Sequence, residues 1–127
     1  AVHPEQGPVM RYYLGEGYRW ADALGWVKDP QVFDWRDARD RLAATGPVGV
    51  LRTVTPTLES GQRLVVVQPL VRSGRWGAPW TSLVRTRAAQ WQRTLDHDAR
   101  YRRIGQVPEF GYRRLPKGVR AVVYEKR

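Results

Sequence analysis

The chain has 127 residues, 42% of them hydrophobic and six of them tryptophan, which suits one folded domain with a modest core and excludes a disordered tail. It carries 22 Lys and Arg against 12 Asp and Glu, a net charge of +10, and should attract anionic partners such as nucleic acid, lipid headgroups or phosphate-bearing substrates. The lack of cysteine excludes disulfides and thiolate chemistry, and no apolar run approaches the ~20 residues that cross a bilayer.

The basic excess is 19 Arg to 3 Lys, Asn is absent and Ile104 is the only isoleucine, a codon signature of a GC-rich genome. Such bias favours Arg over Lys but does not create an excess of 22 basic over 12 acidic groups. No secretory signal is visible, and a chain that begins at Ala1 rather than Met is expected to be a piece excised from a longer protein.

Residues 1–11, with two prolines and a glycine, read as an extended lead-in. In YYLGEGYRWADALGWVKDP, the spacing of Trp20, Ala23, Leu24 and Val27 predicts a short helix ended by Asp29-Pro30. Asp34 is placed to cap a second helix, WRDARDRLAATG, in which Trp35, Ala38 and Leu42 share a face and Gly46 is the stop. Residues 47–61 read either as a strand, VGVLRTV, or as an irregular helix broken near Pro56; the helix is preferred, with Thr55 as a cap.

Arg63–Val71 is the clearest strand, because Leu64 to Val67 form an apolar run rich in β-branched residues that suits burial on both faces. Residues 79–97 are the clearest helix, with Trp80, Leu83, Val84, Ala88, Trp91 and Leu95 in one stripe expected to pack on that strand. The end of the chain reads as two strands joined at Leu-Pro-Lys-Gly, the second alternating Val119, Ala121 and Val123 with Arg120, Val122 and Tyr124. The expectation is a single domain over 1–127, of α/β or α+β class. It has a short mixed sheet with a central strand at about 63–71, a C-terminal hairpin and two to four helices.

Catalytic and metal motifs are missing. Asp96-His97-Asp98 has the wrong spacing for a metal on one helix face, and His3 lies in the lead-in. Gly15 and Gly17 begin a dinucleotide-like loop, but Trp20 stands where the third glycine belongs and no strand precedes it. Glu16, Asp22, Asp29, Asp34, Asp37 and Asp40 mostly have Arg or Lys close by, which points to surface pairing rather than acid–base work. No catalytic residue, metal ligand or cofactor is assigned.

The candidate site is the loop after the 63–71 strand. Arg72 and Arg75 suit phosphate, while Gly74 and Gly77 allow close approach. Ser73 lies in the same loop, and the helix start at Thr81 offers free N–H groups to an anion. Trp76 and Trp80 suit a sugar face or a lipid–water boundary. The alternative is a plain connector with Trp80 turned into the core.

The order WRDARDRLAATGP, then LESGQRLVVVQPLVRSGRWGAPWTSLVRTRAAQWQRTLDHD, then a closing hairpin, over roughly 34–125, resembles the soluble C-terminal domain of actinobacterial polytopic membrane proteins. Those are similar to polyprenyl-phosphate-sugar-dependent glycosyltransferases, including mannosyltransferase-like ones. In that family the catalytic acid belongs to a loop among the membrane helices. The resemblance therefore implies a non-catalytic accessory domain at the extracytoplasmic face of the cell membrane. Its implied partners are the membrane portion of the same polypeptide and anionic lipid headgroups or a polyprenyl-phosphate sugar. A basic nucleic-acid-binding module is the competing reading, on the charge and aromatics of RYRRIGQVPEFGYRR.

Overall fold

The computed structural model describes residues 3–71, 80–107 and 117–127. They form a mixed α/β domain with four α-helices and two small antiparallel sheets. Helix α1 is Gly7–Leu14, α2 Ala38–Ala44, α3 Gly49–Val54 and α4 Thr81–Asp96. Strands β1 (Trp20–Asp22) and β2 (Gly25–Val27) make a hairpin; β3 (Arg63–Val71), β4 (Tyr101–Val107) and β5 (Lys117–Lys126) make the main sheet.

The main sheet has the order β3-β5-β4, so the 63–71 strand is an edge and β5 is the centre. β5 takes the middle because it pairs along its length with both neighbours, Val66 facing Val122 on one side and Gln106 facing Val122 on the other. The bounds of β3 are those expected, but Pro69 supplies no N–H, which suits an edge. The connection between β4 and β5 falls outside the described residues. Lys117 and Gly118, expected in the turn, are already paired in β5 with Val71 and Leu70.

One face of the sheet packs under the helices. Val66, Val122, Tyr124 and Tyr101 meet Val84, Ala88, Trp91 and Leu95 of α4, with Leu42 of α2 and Val50, Leu51 and Val54 of α3 completing the core. Leu64 and Leu83 pack at its margin. On β5 the buried phase is that of Val122 and Tyr124, not that of Val119, which is exposed. Burying a side chain such as Leu42 or Leu95 contributes about 2–3 kcal/mol.

The N-terminal third departs most from the expectation. Residues 4–14 are helical, a 3-10 turn at Pro4–Gln6 running into α1. Proline presets the backbone of a first helical turn and needs no N–H there, so Pro4 and Pro8 start helix instead of breaking it. Trp20 to Val27 form a hairpin, not a helix. The Asp22 carboxylate accepts N–H bonds from Leu24 (2.7 Å) and Gly25 (3.2 Å), closing a turn that competes with helix. Gly25 completes it at φ +139°, open to glycine and closed to most other residues. Ala23 is buried and Leu24 packs on the core from the turn, so the spacing that mimicked a helix face belongs to a hairpin tip.

α2 starts at Ala38 rather than after Asp34. The Asp34 carboxylate is held by Arg36 instead, and Trp35 is 66% exposed while Ala38 and Leu42 are buried. Gly46 ends the helix as expected, at φ +67°. Irregular helix over 47–61 is also as expected: α3 runs into a 3-10 turn at Thr55–Thr57. There Thr55 does not cap; its hydroxyl donates back to the Leu51 carbonyl at 2.8 Å.

His3 is buried, its Nδ1 has no hydrogen-bond partner among the described residues, and burial pushes its pKa down, partly opposed by Glu5. The folded chain therefore keeps His3 neutral at a pH where the unfolded chain, with an ordinary value of about 6.5, takes up a proton. His3 favours folding above that pH, and its share is lost as pH falls through and below it. Thermal melts at pH 7.5, 6.0 and 5.0 should show a falling Tm that flattens in His3→Leu; an equal fall in the variant would place the effect elsewhere.

Candidate binding surface

The loop singled out by sequence, Arg72, Ser73, Gly74, Arg75 and Trp76, lies outside the described residues. The two remaining members of that set are placed. Trp80 is partly buried and packs on the core at the start of α4, and Thr81 is buried in the first helical turn. Trp80 is thus turned inward, while its Nε1 has no acceptor among the described residues.

The polar groups of the core are structural. Arg87 is buried in α4 and donates to the Leu42 carbonyl at 2.8 Å, near the end of α2, where a cation answers the free carbonyls and the helix dipole. The Thr45 hydroxyl donates to the same carbonyl. Arg87→Ala should therefore cost about 1–3 kcal/mol in urea denaturation. Arg87→Met, which keeps the apolar stem, should recover the packing share of that loss. Arg120 of β5 donates to Gln92 Oε1 at 2.7 Å. With its amide oxygen turned to Arg120, Gln68 accepts from the same guanidinium at 2.9 and 3.2 Å. Tyr124 donates to Asp96 at 2.8 Å, and burial and that carboxylate together raise its pKa.

Asp96, His97 and Asp98 take separate partners. Asp96 is taken by Tyr124, His97 Nδ1 lies 2.7 Å from the Arg93 carbonyl, and Asp98 holds Arg100 at 2.7 Å. Among the described residues, no group of three His, Cys, Asp or Glu side chains is placed to hold a metal. The acids near the N-terminus act locally. Glu16 pairs with Arg11 and Asp34 with Arg36, both at 2.9 Å, and the second contact pulls Asp34 down to about 2. Asp22 and Asp29 close turns through backbone N–H groups.

What stands out is a density of exposed aromatic rings in and around the segment expected to be a short helix. Half of the 14 aromatic residues fall within residues 12–35. Tyr12 is 82% exposed, Tyr13 76%, Tyr18 51% and Trp26 44%. Tyr12 and Tyr13 meet edge to face at 5.2 Å, and Tyr18 lies 6.0 Å from Trp20. The Arg19 guanidinium carbon stands 4.4 Å over the Trp26 ring. The hairpin divides these residues between its two faces. Ala21 faces Trp26 across the strands, so Arg19, two residues before Ala21, falls diagonally on the same face as Trp26, while Tyr18 and Trp20 fall on the other.

No protein-family model matches the chain, and neither a curated protein nor a solved structure is found to be similar to it.

The aromatic surface was open to detection from the local density of Tyr and Trp in YY, GYRW, GW and FDW, combined with Gly15, Gly17 and Gly25, which disfavour a helix that would bury them. Amphipathic rings left in water beside Arg side chains can do two things. They can seat at a lipid–water boundary, and they can hold a cation against a ring face while its N–H groups stay free. Nothing in this surface supplies an acid–base pair or a nucleophile with its base among the described residues.

Proposed function

We propose that this chain is a non-catalytic extracytoplasmic accessory domain of a membrane-embedded glycosyltransferase, one that seats on an anionic membrane beside the membrane portion of the same polypeptide. There it helps hold an acceptor or a polyprenyl-phosphate sugar. Two separate observations support the membrane part of this reading: the exposed rings of Tyr12, Tyr13, Tyr18 and Trp26, and a net charge of +10 whose excess lies outside residues 12–35. Rings with a polar handle favour the headgroup zone, and the positive charge draws the domain to anionic lipid. The glycosyltransferase part rests on the resemblance of residues 34–125. No described helix is long and apolar enough to cross a membrane.

Titration with phosphatidylglycerol and phosphatidylcholine vesicles, with a DNA duplex as competitor, tests the reading. The expected result is preference for phosphatidylglycerol, weakened but not abolished at 0.5 M salt because ring burial survives screening. DNA binding should be sequence-blind and lost in that salt. Tight, salt-resistant DNA binding with no preference between the vesicles would instead establish the nucleic-acid module.

A further inference from the structure

We propose that His3 is a proton-operated latch: when the ring is protonated in mildly acidic solution, residues 3–14 leave the body of the domain while α4 and the main sheet stay folded. The inference does not depend on the membrane reading above.

The attachment of this segment is concentrated at its start. His3, 5% exposed, and Pro4 are buried. In α1 no residue is buried; Gly7, Pro8, Met10 and Arg11 are half-buried and the others are exposed. The seat lies against the hairpin and the turn that follows it. Pro4 and Gly7 line a small cavity with Trp20, Asp22 and Pro30, and a Cβ on Gly7 would stand 3.0 Å from the Pro30 carbonyl oxygen. A helix of eight residues is marginal in water on its own, so α1 depends on this seat. If the seat opens, the hydrogen bonds of α1 open with it, and the Tyr12–Tyr13 pair is released.

The seat accepts a neutral imidazole and opposes a charged one. A charged ring carries an N–H on both nitrogens. Nδ1 is buried without a partner among the described residues, so its N–H would go unanswered beside a desolvated charge. Gln6 Oε1, buried on the same turn, is also unpartnered among the described residues and does not bond the ring. Opening gives both groups to water, which lowers its cost.

The surrounding charges do not reverse this. Glu5, exposed on the same turn, favours the charged ring, and burial outweighs it. On the elements beside the seat, the charged groups are Asp22, Lys28, Asp29 and, acting on Asp22 from α2, Arg41. The Asp22 carboxylate accepts from the Leu24 and Gly25 N–H groups, and that of Asp29 from Gln31. Lys28 and Arg41 oppose a further positive charge. An opened segment has the ordinary histidine value of about 6.5, and the seated ring a lower one. Opening therefore becomes easier as pH falls below that value, by up to about ten-fold per pH unit until the seated ring itself titrates.

Hydrogen exchange of the whole chain at pH 7.5, 6.0 and 5.0, corrected for the intrinsic pH dependence of amide exchange, tests the latch. Wild type is compared with His3→Leu and His3→Phe, with circular dichroism to check that each variant folds. In wild type, protection of the amides of residues 7–15 should fall by up to about thirty-fold between pH 7.5 and 5.0. At each pH it should lie at least about a hundred-fold below that of β5, because the segment opens without the sheet. Both uncharged variants should keep the protection of 7–15 within about three-fold across the range. Protection of 7–15 equal to that of β5 would mean that the segment opens only with the whole domain, and would overturn the proposal. So would a fall below about three-fold in wild type, or the same fall in a variant that folds. If neither variant folds, wild type decides alone, by the size of the fall and the gap between 7–15 and β5.

Discussion

Replacing Val66 with Asp should leave the chain unfolded under conditions in which the parent is folded. Val66 is buried in β3, faces Val122 across the pairing and belongs to the core that α4 covers. A carboxylate there would be desolvated among apolar side chains, at a cost of several kcal/mol, comparable with the whole stability of a small domain, about 5–15 kcal/mol. Val65→Asp is the matched control. It is the adjacent residue on the other face, partly in water, and should cost about 1 kcal/mol or less. Circular dichroism melts of the two variants read the difference directly. Equal behaviour would mean that the faces of β3 are wrongly assigned.

Trp91→Ala is the second large expected effect. Trp91 is buried in the middle of α4, and its removal opens a cavity between helix and sheet, costing about 3–5 kcal/mol. Trp35→Ala, at a ring 66% exposed, should stay within about 0.5 kcal/mol. Urea midpoints at unchanged slope would measure both. A small loss at Trp91 would mean that the core collapses around the gap, which the interlocking of α4 with Val66, Val122 and Tyr124 opposes.

The contrast between those two tryptophans shows what could be read from residue order alone. α4 was legible because sixteen helical residues carry one long stripe, and a stripe of that length has no strand equivalent. β3 was legible in extent because four apolar residues in succession suit little else. Its edge position was not, since pairing partners distant in sequence decide the order of strands. Residues 18–27 misled because Ala23 and Leu24 are apolar for a tertiary reason, burial at a hairpin tip, and their spacing from Trp20 and Val27 copies a helix by coincidence. The Asp22 turn and Gly25 carried the better signal. At the N-terminus, two prolines suggest an extended lead-in where they instead start helix.

The candidate surface was hidden by the same error. A helix over residues 18–29 would have turned Trp20 and its neighbours inward, whereas a two-stranded hairpin has too little apolar area of its own to bury both faces. Tyr18, Arg19 and Trp26 consequently remain in water. Of the candidate loop residues, Trp80 packs against the core and Thr81 is buried in the first turn of α4.

The proposed reading holds that the exposed rings of residues 12–27 are the part that meets an anionic membrane. Hydrogen exchange of the whole chain, free and bound to phosphatidylglycerol vesicles, tests this most directly. Binding should slow exchange over residues 12–27 and leave the amides of β4, with its exposed Arg102 and Arg103, at their free rates. Protection centred on β4 with none over 12–27, or no change on adding the vesicles, would contradict it.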